Sequence, residues 1–284
     1  LVFYIANLYD VKSLRNNFII IRPTILYGFN TFNEKNLVLK IVNSLIDNKE
    51  VIFTTFDALD EDKKEIIKNY FAKLISNENK FLALNTAFFN QGILVYVPKD
   101  VILKEPLSLS TLQDSKTLIK HILIILENNS SISFVDDLSS SNDAKYSSKV
   151  VEIFLKENSK LNYFNLQNLS LNAYNFNYKK AKLERDAEFK LYDFNFGSKL
   201  TYSDIITYLD GENSRFEHYG IFASNLAQQF DLGLSAIHNS PYTYSNMLTK
   251  GALNNNSKAI YRGLIKINKD AHDSNGYQKE DTLL

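Results

Sequence analysis

The sequence predicts a mainly β protein, a β-solenoid preceded by a mixed helical segment, and three observations carry that prediction. The apolar period changes from helical to strand-like near residue 80. Beyond that point a polar turn ending in a small residue recurs at a nearly fixed interval. The strands also come with few glycines, 9 in 284 residues. Stacked coils explain a fixed strand–turn period, because each coil buries its face on the next and none is stable alone. A β-sandwich with accidental turn spacing is the competing architecture.

The elements follow in order. Leu1-Val2-Phe3-Tyr4-Ile5-Ala6 reads as a buried strand, with no basic stretch ahead of it and too short for a signal peptide. Phe18-Ile19-Ile20-Ile21 reads as a second, closed by Arg22-Pro23. Leu37, Ile41 and Leu45 fall at helical spacing and predict an amphipathic helix. Asp60 to Ser76 predicts a stronger one, with Ile66, Ile67, Tyr70, Phe71, Leu74 and Ile75 as its apolar stripe. Its acids precede its lysines, as the helix dipole favours. Ile93-Leu94-Val95-Tyr96-Val97 is a strand closed by Pro98.

The repeat then takes over. Asn129-Ser130, Asn158-Ser159, Asp186-Ala187 and Asn213-Ser214 each precede an alternating strand, and the small residues lie 29, 28 and 27 positions apart. Asn256-Ser257 precedes Ile260-Tyr261, 43 residues after Ser214, which predicts an insertion in the last repeat. The expected organisation is a mixed segment over 1–53, an amphipathic helical region over 54–79 and the solenoid over 80–284. Both ends read as cut, since Leu1 is not Met and the chain stops on Leu283-Leu284. A longer cytoplasmic protein is the expectation.

Composition excludes several functions. Thirty-two basic and 32 acidic residues give zero net charge, against a nucleic-acid-coating or membrane-surface role. No apolar run approaches the roughly 18–20 residues of a membrane span. The absence of cysteine removes disulfides, thiolate metal sites and cysteine nucleophiles. No Gly-rich phosphate loop, His-Glu-x-x-His helix or Gly-x-Ser-x-Gly elbow occurs.

Few residues remain as chemical candidates. Asp136-Asp137 and Glu61-Asp62 are paired acids, but neighbours on a strand point to opposite faces, so solvated charge is the reading. His121 sits at the polar start of an apolar run, and His218 shares a strand face with Phe216. His272 lies in a polar turn. His238 opens the densest polar segment, with Asn239, Ser240, Thr243, Ser245 and Lys250. That segment is either a site or a ladder of hydrogen bonds along a solenoid face. Tyr174 to Lys182 interleaves aromatic and basic residues, which an aromatic ladder in a coil explains as well as a nucleic-acid surface does.

Two stretches resemble a known family. One is Phe81 to Gly92, followed by Val95-Tyr96-Val97-Pro98-Lys99-Asp100 and Glu105-Pro106-Leu107. The other runs from His238 through Ser245, Lys250-Gly251, Ser257, Gly263 to Ile267 and Asp270-Ala271 to Leu283-Leu284. Over residues 54–284 the chain resembles the SufB/SufD family of iron–sulfur cluster assembly scaffolds. Ala83 to Ala87 and the missing cysteines place the likeness on its SufD side. The resemblance implies a right-handed parallel β-helix flanked by helices. It also implies a non-enzymatic scaffold pairing with a SufB-like paralogue and a SufC-like ATPase. This chain would carry no cofactor of its own, and the assembled complex would handle the iron–sulfur cluster and ATP. His238, Ser245, Lys250, Gly251 and Gly263 match family positions and take a structural or interface role. The family's functional histidine and its SufC-gripping helices would lie downstream of Leu284.

Residues 1–50 depart from that family. Ile21 to Gly28, with the segment around Leu37 to Ile46, resembles part of an extended short-chain dehydrogenase/epimerase. It lacks that family's Gly-rich loop and Tyr-x-x-x-Lys pair. A fusion and a divergent N-terminus are both open. The alternative function is a carbohydrate-active or carbohydrate-binding β-helix, which requires carboxylates converging in a groove.

Overall fold

The corners of the coils explain the architecture. In this computed structural model, which describes residues 37–39, 44–46, 49–75 and 79–284, seven residues at one corner hold positive φ. They are Asp100, Asn129, Asn158, Asp186, Asn213, Tyr242 and Asp273. Six are Asn or Asp, the L-residues that best tolerate the left-handed region. The residue after each turns inward and is small at most corners, Val101 after Asp100 being the exception. Ser130, Ser159, Ala187 and Ser214 are fully buried, and Thr243 nearly so. The corners are bolted together: Asn129 donates to Asp100 at 2.7 Å, and Asn158 to Asn129 at 2.9 Å. Asn213 donates to Asp186 at 2.6 Å.

The repeat therefore runs on from Ser214 to Thr243 and Ser274 without an insertion. Ser257, expected to open the next repeat, sits at the opposite corner, after Asn255. That corner also breeds small polar residues, so composition alone assigns it to the wrong column.

Thirteen strands build the coils: β5 Leu107–Gln113, β6 Thr117–Leu126, β7 Ser131–Ser140, β8 Tyr146–Leu155, β9 Lys160–Asn168, β10 Tyr174–Leu183, β11 Glu188–Asn195, β12 Leu200–Leu209, β13 Arg215–Ser224, β14 Gln229–His238, β15 Tyr244–Leu253, β16 Lys258–Ile267 and β17 Asn275–Leu283. Odd-numbered strands stack in one sheet and even-numbered strands in the other. Within each sheet these strands pair in parallel, as Phe189 with Phe216 and Ile205 with Leu234. Two strands make one coil, and the fold is a β-solenoid. Alternation along β7, β9 and β11 puts every second side chain inside. On the outer face of the odd sheet Phe164, Tyr192 and Tyr219 stack, with ring centroids 4.5 and 5.4 Å apart.

The N-terminal side closes the stack. β1 Leu37–Leu39 pairs antiparallel with β5, and β2 Ser44–Ile46 with β3 Lys49–Thr55. β3 pairs antiparallel with β4 Gln91–Val97, which runs parallel to β6. The helix expected across Leu37, Ile41 and Leu45 is thus replaced by strands at both ends. Pairing to an existing sheet edge outweighs a three-residue helical pattern. The strands expected at Leu1–Ala6 and Phe18–Ile21, and the Ile21–Gly28 segment, lie outside the described residues. The described residues belong to one unit, Asn36–Leu284.

Helix α1 spans Glu61–Tyr70, shorter than the expected Asp60–Ser76. Its stripe is as expected: Ile66, Ile67, Tyr70 and Leu74 pack on Leu94, Leu123, Ile125 and Phe154 of the even sheet. It stops because Ala72 takes φ 58°. Helix α2, Lys80–Phe88, lies where the solenoid was expected to have begun. Asn79 caps it, accepting from the backbone N–H of Phe81 at 2.8 Å. Its apolar residues surround the axis, so no period betrays it. Among the described residues no helix is long and apolar enough to cross a membrane.

Candidate functional site

The interior of the solenoid is not uniformly apolar. Successive coils align Asp136, Asn165, Asp193, Gly220 and Thr249 in one inward column of the odd sheet. Lys120, Lys149, Asn177 and Ser203 form an inward column of the even sheet. Lys179 stands inward beside that column, between Val151 and Ile205. Lys149 donates to Asp136 Oδ2 and to Asn165 Oδ1, both at 2.6 Å. Tyr163 donates to the same Asp136 oxygen at 2.8 Å. Asn165 passes the network on to Asp193 Oδ1 at 2.8 Å, which also accepts from Lys179 at 3.0 Å. Asn195 donates to Asp193 Oδ2 at 2.7 Å. Lys120 donates to Thr111.

Electrostatics sets the charge states along this seam. Burial alone would raise the Asp136 carboxyl, but Lys149 and Lys120 with the hydrogen bonds overcome it and hold it below the usual carboxylate range. Asp193 behaves alike: burial opposes ionisation, and Lys179 with the hydrogen bonds from Lys179 and Asn195 restores it. Burial pushes Lys120 down to about 8, against the pull of Asp136. Burial also pushes His218 down to about 4, only partly opposed by Asp193.

Sequence reasoning does not find this seam. Asp136, expected to be solvated charge together with Asp137, is fully buried, while Asp137 faces out. Lys179, within the aromatic–basic interleave, also points inward. A signal exists. The paired partners lie 13 and 14 residues apart, half the repeat, which is the distance to the facing strand of the same coil.

The candidate residues fall into separate places. His238 and Ser245 meet: His238 Nε2 is 2.9 Å from Ser245 Oγ, and Nδ1 is 2.7 Å from Thr243 Oγ1. All three are buried. Thr243 also reaches Ser274 Oγ at 2.7 Å, so the cluster spans two coils. Burial lowers the His238 pKa. Lys250 lies further along β15 and half-buried, away from that cluster. Gly251 faces inward, where a Cβ would overlap the Phe222 ring. Gly263 is exposed on β16, beneath the Gln278 side chain. These five residues do not converge on one site. His272 is exposed and 3.0 Å from Asp273.

A second buried network joins the helices to the solenoid. His121 lies between Glu152 Oε1 at 3.0 Å and Asn85 Oδ1 at 3.1 Å. Glu152 accepts the backbone N–H groups of Ala72 and Leu74, each at 2.7 Å. The turn after α1 and the inner face of α2 are therefore both held by residues of β6 and β8. Among the described residues no group of three His, Asp or Glu side chains is placed to hold a metal ion.

Fold and interior together define a class: a parallel β-solenoid stitched by buried ion pairs and fitted with a helical cap. Residues 109–284 match the family described as SUF system FeS cluster assembly, SufBD core domain, and residues 31–109 match the SufBD protein N-terminal region. The chain belongs to the SufB/SufD family. Iron–sulfur cluster assembly SufBD family proteins of Staphylococcus haemolyticus, Staphylococcus epidermidis and Staphylococcus aureus are each 29% identical over 264 residues. The match takes in 91% of this chain and 57% of each relative. The N-terminal match includes residues 31–50, which the sequence reading set apart from the family.

Proposed function

We propose that the chain is the solenoid part of a scaffold subunit of the SUF machinery, of the SufD type, which works by binding partners rather than by catalysis. The observation that carries this reading is the core-domain match over 109–284, coincident with the coils from β5 to β17. The partners are a SufB-like paralogue and a SufC-like ATPase, in a cytoplasmic setting. The nascent iron–sulfur cluster is cargo of the assembled complex, and ATP is handled by the ATPase. His238, Ser245, Gly251 and Gly263 serve the shape of the last coils, and Lys250 serves the same end of the solenoid. The carbohydrate alternative loses its ground. The buried Asp136, Asp193 and Glu152 are each engaged by Lys149, Lys179 or His121 and line no groove.

The test is co-expression of the full-length protein with its cognate SufB-like and SufC-like proteins, read by gel filtration. Co-elution as one complex is expected. Failure to associate, with those two proteins shown competent to bind another SufD-type subunit, overturns the proposal.

A further inference from the structure

The seam ends at a small cavity of about 20 Å³, lined among others by Asp193, Asn195, Ser203, His218 and Gly220. About 10–15 Å³ suffices for one water molecule, provided two to four polar partners surround it. Five lining residues have such groups to offer, Thr249 Oγ1 and the Tyr261 hydroxyl among them. His218 Nδ1, Asn195 Oδ1 and Ser203 Oγ have no protein partner, and the three residues are 4%, 2% and 1% exposed.

The chemistry of these atoms selects the occupant. The Asn195 amide cannot be turned round, because its Nδ2 faces Asp193 Oδ2 at 2.7 Å and a flip would set two oxygens together. Its remaining atom is therefore an acceptor, and the occupant must donate. A second cation is disfavoured beside Lys179, which already neutralises Asp193. An anion would face that same carboxylate and offer Asn195 no proton. A neutral donor of one heavy atom is left.

The room itself is built by the sequence. In the column Asp136, Asn165, Asp193, Gly220, Thr249 the side chain disappears at Gly220. A Cβ there would stand 2.6 Å from His218 Cε1 and 3.1 Å from Thr249 Oγ1. We propose that this cavity is an internal hydration site, holding one ordered water that donates to Asn195 Oδ1 and bridges to His218 Nδ1 and Ser203 Oγ. That water carries the polar seam from Asp193 on to His218.

Crystals of the full-length protein diffracting to about 1.5 Å test the site. A single peak within about 3.2 Å of at least two of the three atoms is expected. Featureless density overturns the proposal, as does a peak ringed by five or more oxygens at about 2.3–2.6 Å, which would be a cation. The same crystals under xenon pressure supply a second reading. A wet polar site excludes xenon, so occupancy by xenon overturns the proposal.

Discussion

Replacing Lys149 with methionine is the most searching perturbation of the interior. The side chain is 2% exposed and holds two oxygens at 2.6 Å. Met fills most of the same volume, so packing loss is minor. Asp136 would then be a fully buried carboxylate with only the Tyr163 hydroxyl and the more distant Lys120 to balance it. Removing one partner of a buried pair costs about 3–5 kcal/mol. The orphaned Asn165 Oδ1 adds about 1–3 kcal/mol, partly overlapping the first loss. About 4–5 kcal/mol in all is expected, or a fall in Tm of roughly 10 °C for a chain of this size. The double variant Lys149→Met/Asp136→Leu removes both charges, and Leu109 shows that leucine fits this column. It should recover about 2–3 kcal/mol of the loss. Urea unfolding of the full-length wild type, both single variants and the double variant, followed by circular dichroism, closes the cycle. A Lys149→Met change within about 0.5 kcal/mol of wild type refutes the reasoning, as does a double variant equal to the sum of the singles.

Three further outcomes are expected. His218 ionises at about 4 in the folded protein, against an ordinary histidine value of 6.5 in the unfolded chain, so below pH 6.5 the unfolded chain takes up the proton first. Stability should fall by about 3 kcal/mol between pH 6.5 and 4 relative to His218→Leu, and parallel pH profiles of the two proteins would contradict this. Asn129→Ala loses both ladder bonds and forces alanine to φ 61°. A cost of about 1–2 kcal/mol is expected, with Asn129→Gly costing less because only the bonds are lost; equal costs would remove backbone strain from the account. Gly251→Ala drives a methyl into the Phe222 ring and should cost about 1–3 kcal/mol in thermal unfolding, whereas a neutral result would mean that the ring has room to swing away.

How much of this is legible depends on where the information lies along the chain. The coil period is readable because most corners pair a left-handed residue with a small one, and both fall on adjacent positions such as Asn158-Ser159. Tyr242-Thr243 satisfies the same geometry with a residue that no turn rule suggests, so turn chemistry favours Asn256-Ser257 for the fifth corner instead. Helix α2 is hidden because Phe81, Leu82, Ala83 and Leu84 leave no polar face. The seam is illegible for a different reason. Alternation shows that Asp136 and Asp137 point apart, but not which of them is inside. That is settled only by Lys149 on the facing strand, and a lysine within an otherwise ordinary strand carries no local mark. The His238–Ser245 contact is within reach, since both lie in one polar segment. The separation of Gly263 from them is not, because it depends on the register of β16 against β14, which sets Gly263 opposite Leu234 and Ile267 opposite His238.

The charged interior also bears on how the coils keep their register. The apolar columns of a solenoid are permissive: sliding one strand by two residues keeps every inward side chain inward. Hydrophobic burial is non-directional and would barely oppose such a slip among Ile, Val and Leu. The ion pairs are not permissive. A two-residue slip of β8 against β6 and β10 would carry Lys149 to the level now held by Ile122 and Lys179, or else toward Leu118 and Asn175. The first displacement exchanges the buried neighbour Lys120 for Lys179, and both draw Lys149 away from the level at which it meets Asp136 and Asn165. Burying a pair of charges adds little net stability over an apolar pair of equal volume, yet a mispaired arrangement leaves an uncompensated buried ion at a cost of several kcal/mol. The seam thus contributes chiefly by penalising the wrong registers. Because Asn165 joins the Lys149–Asp136 pair to Asp193 and Lys179 on following coils, one correct register fixes the next.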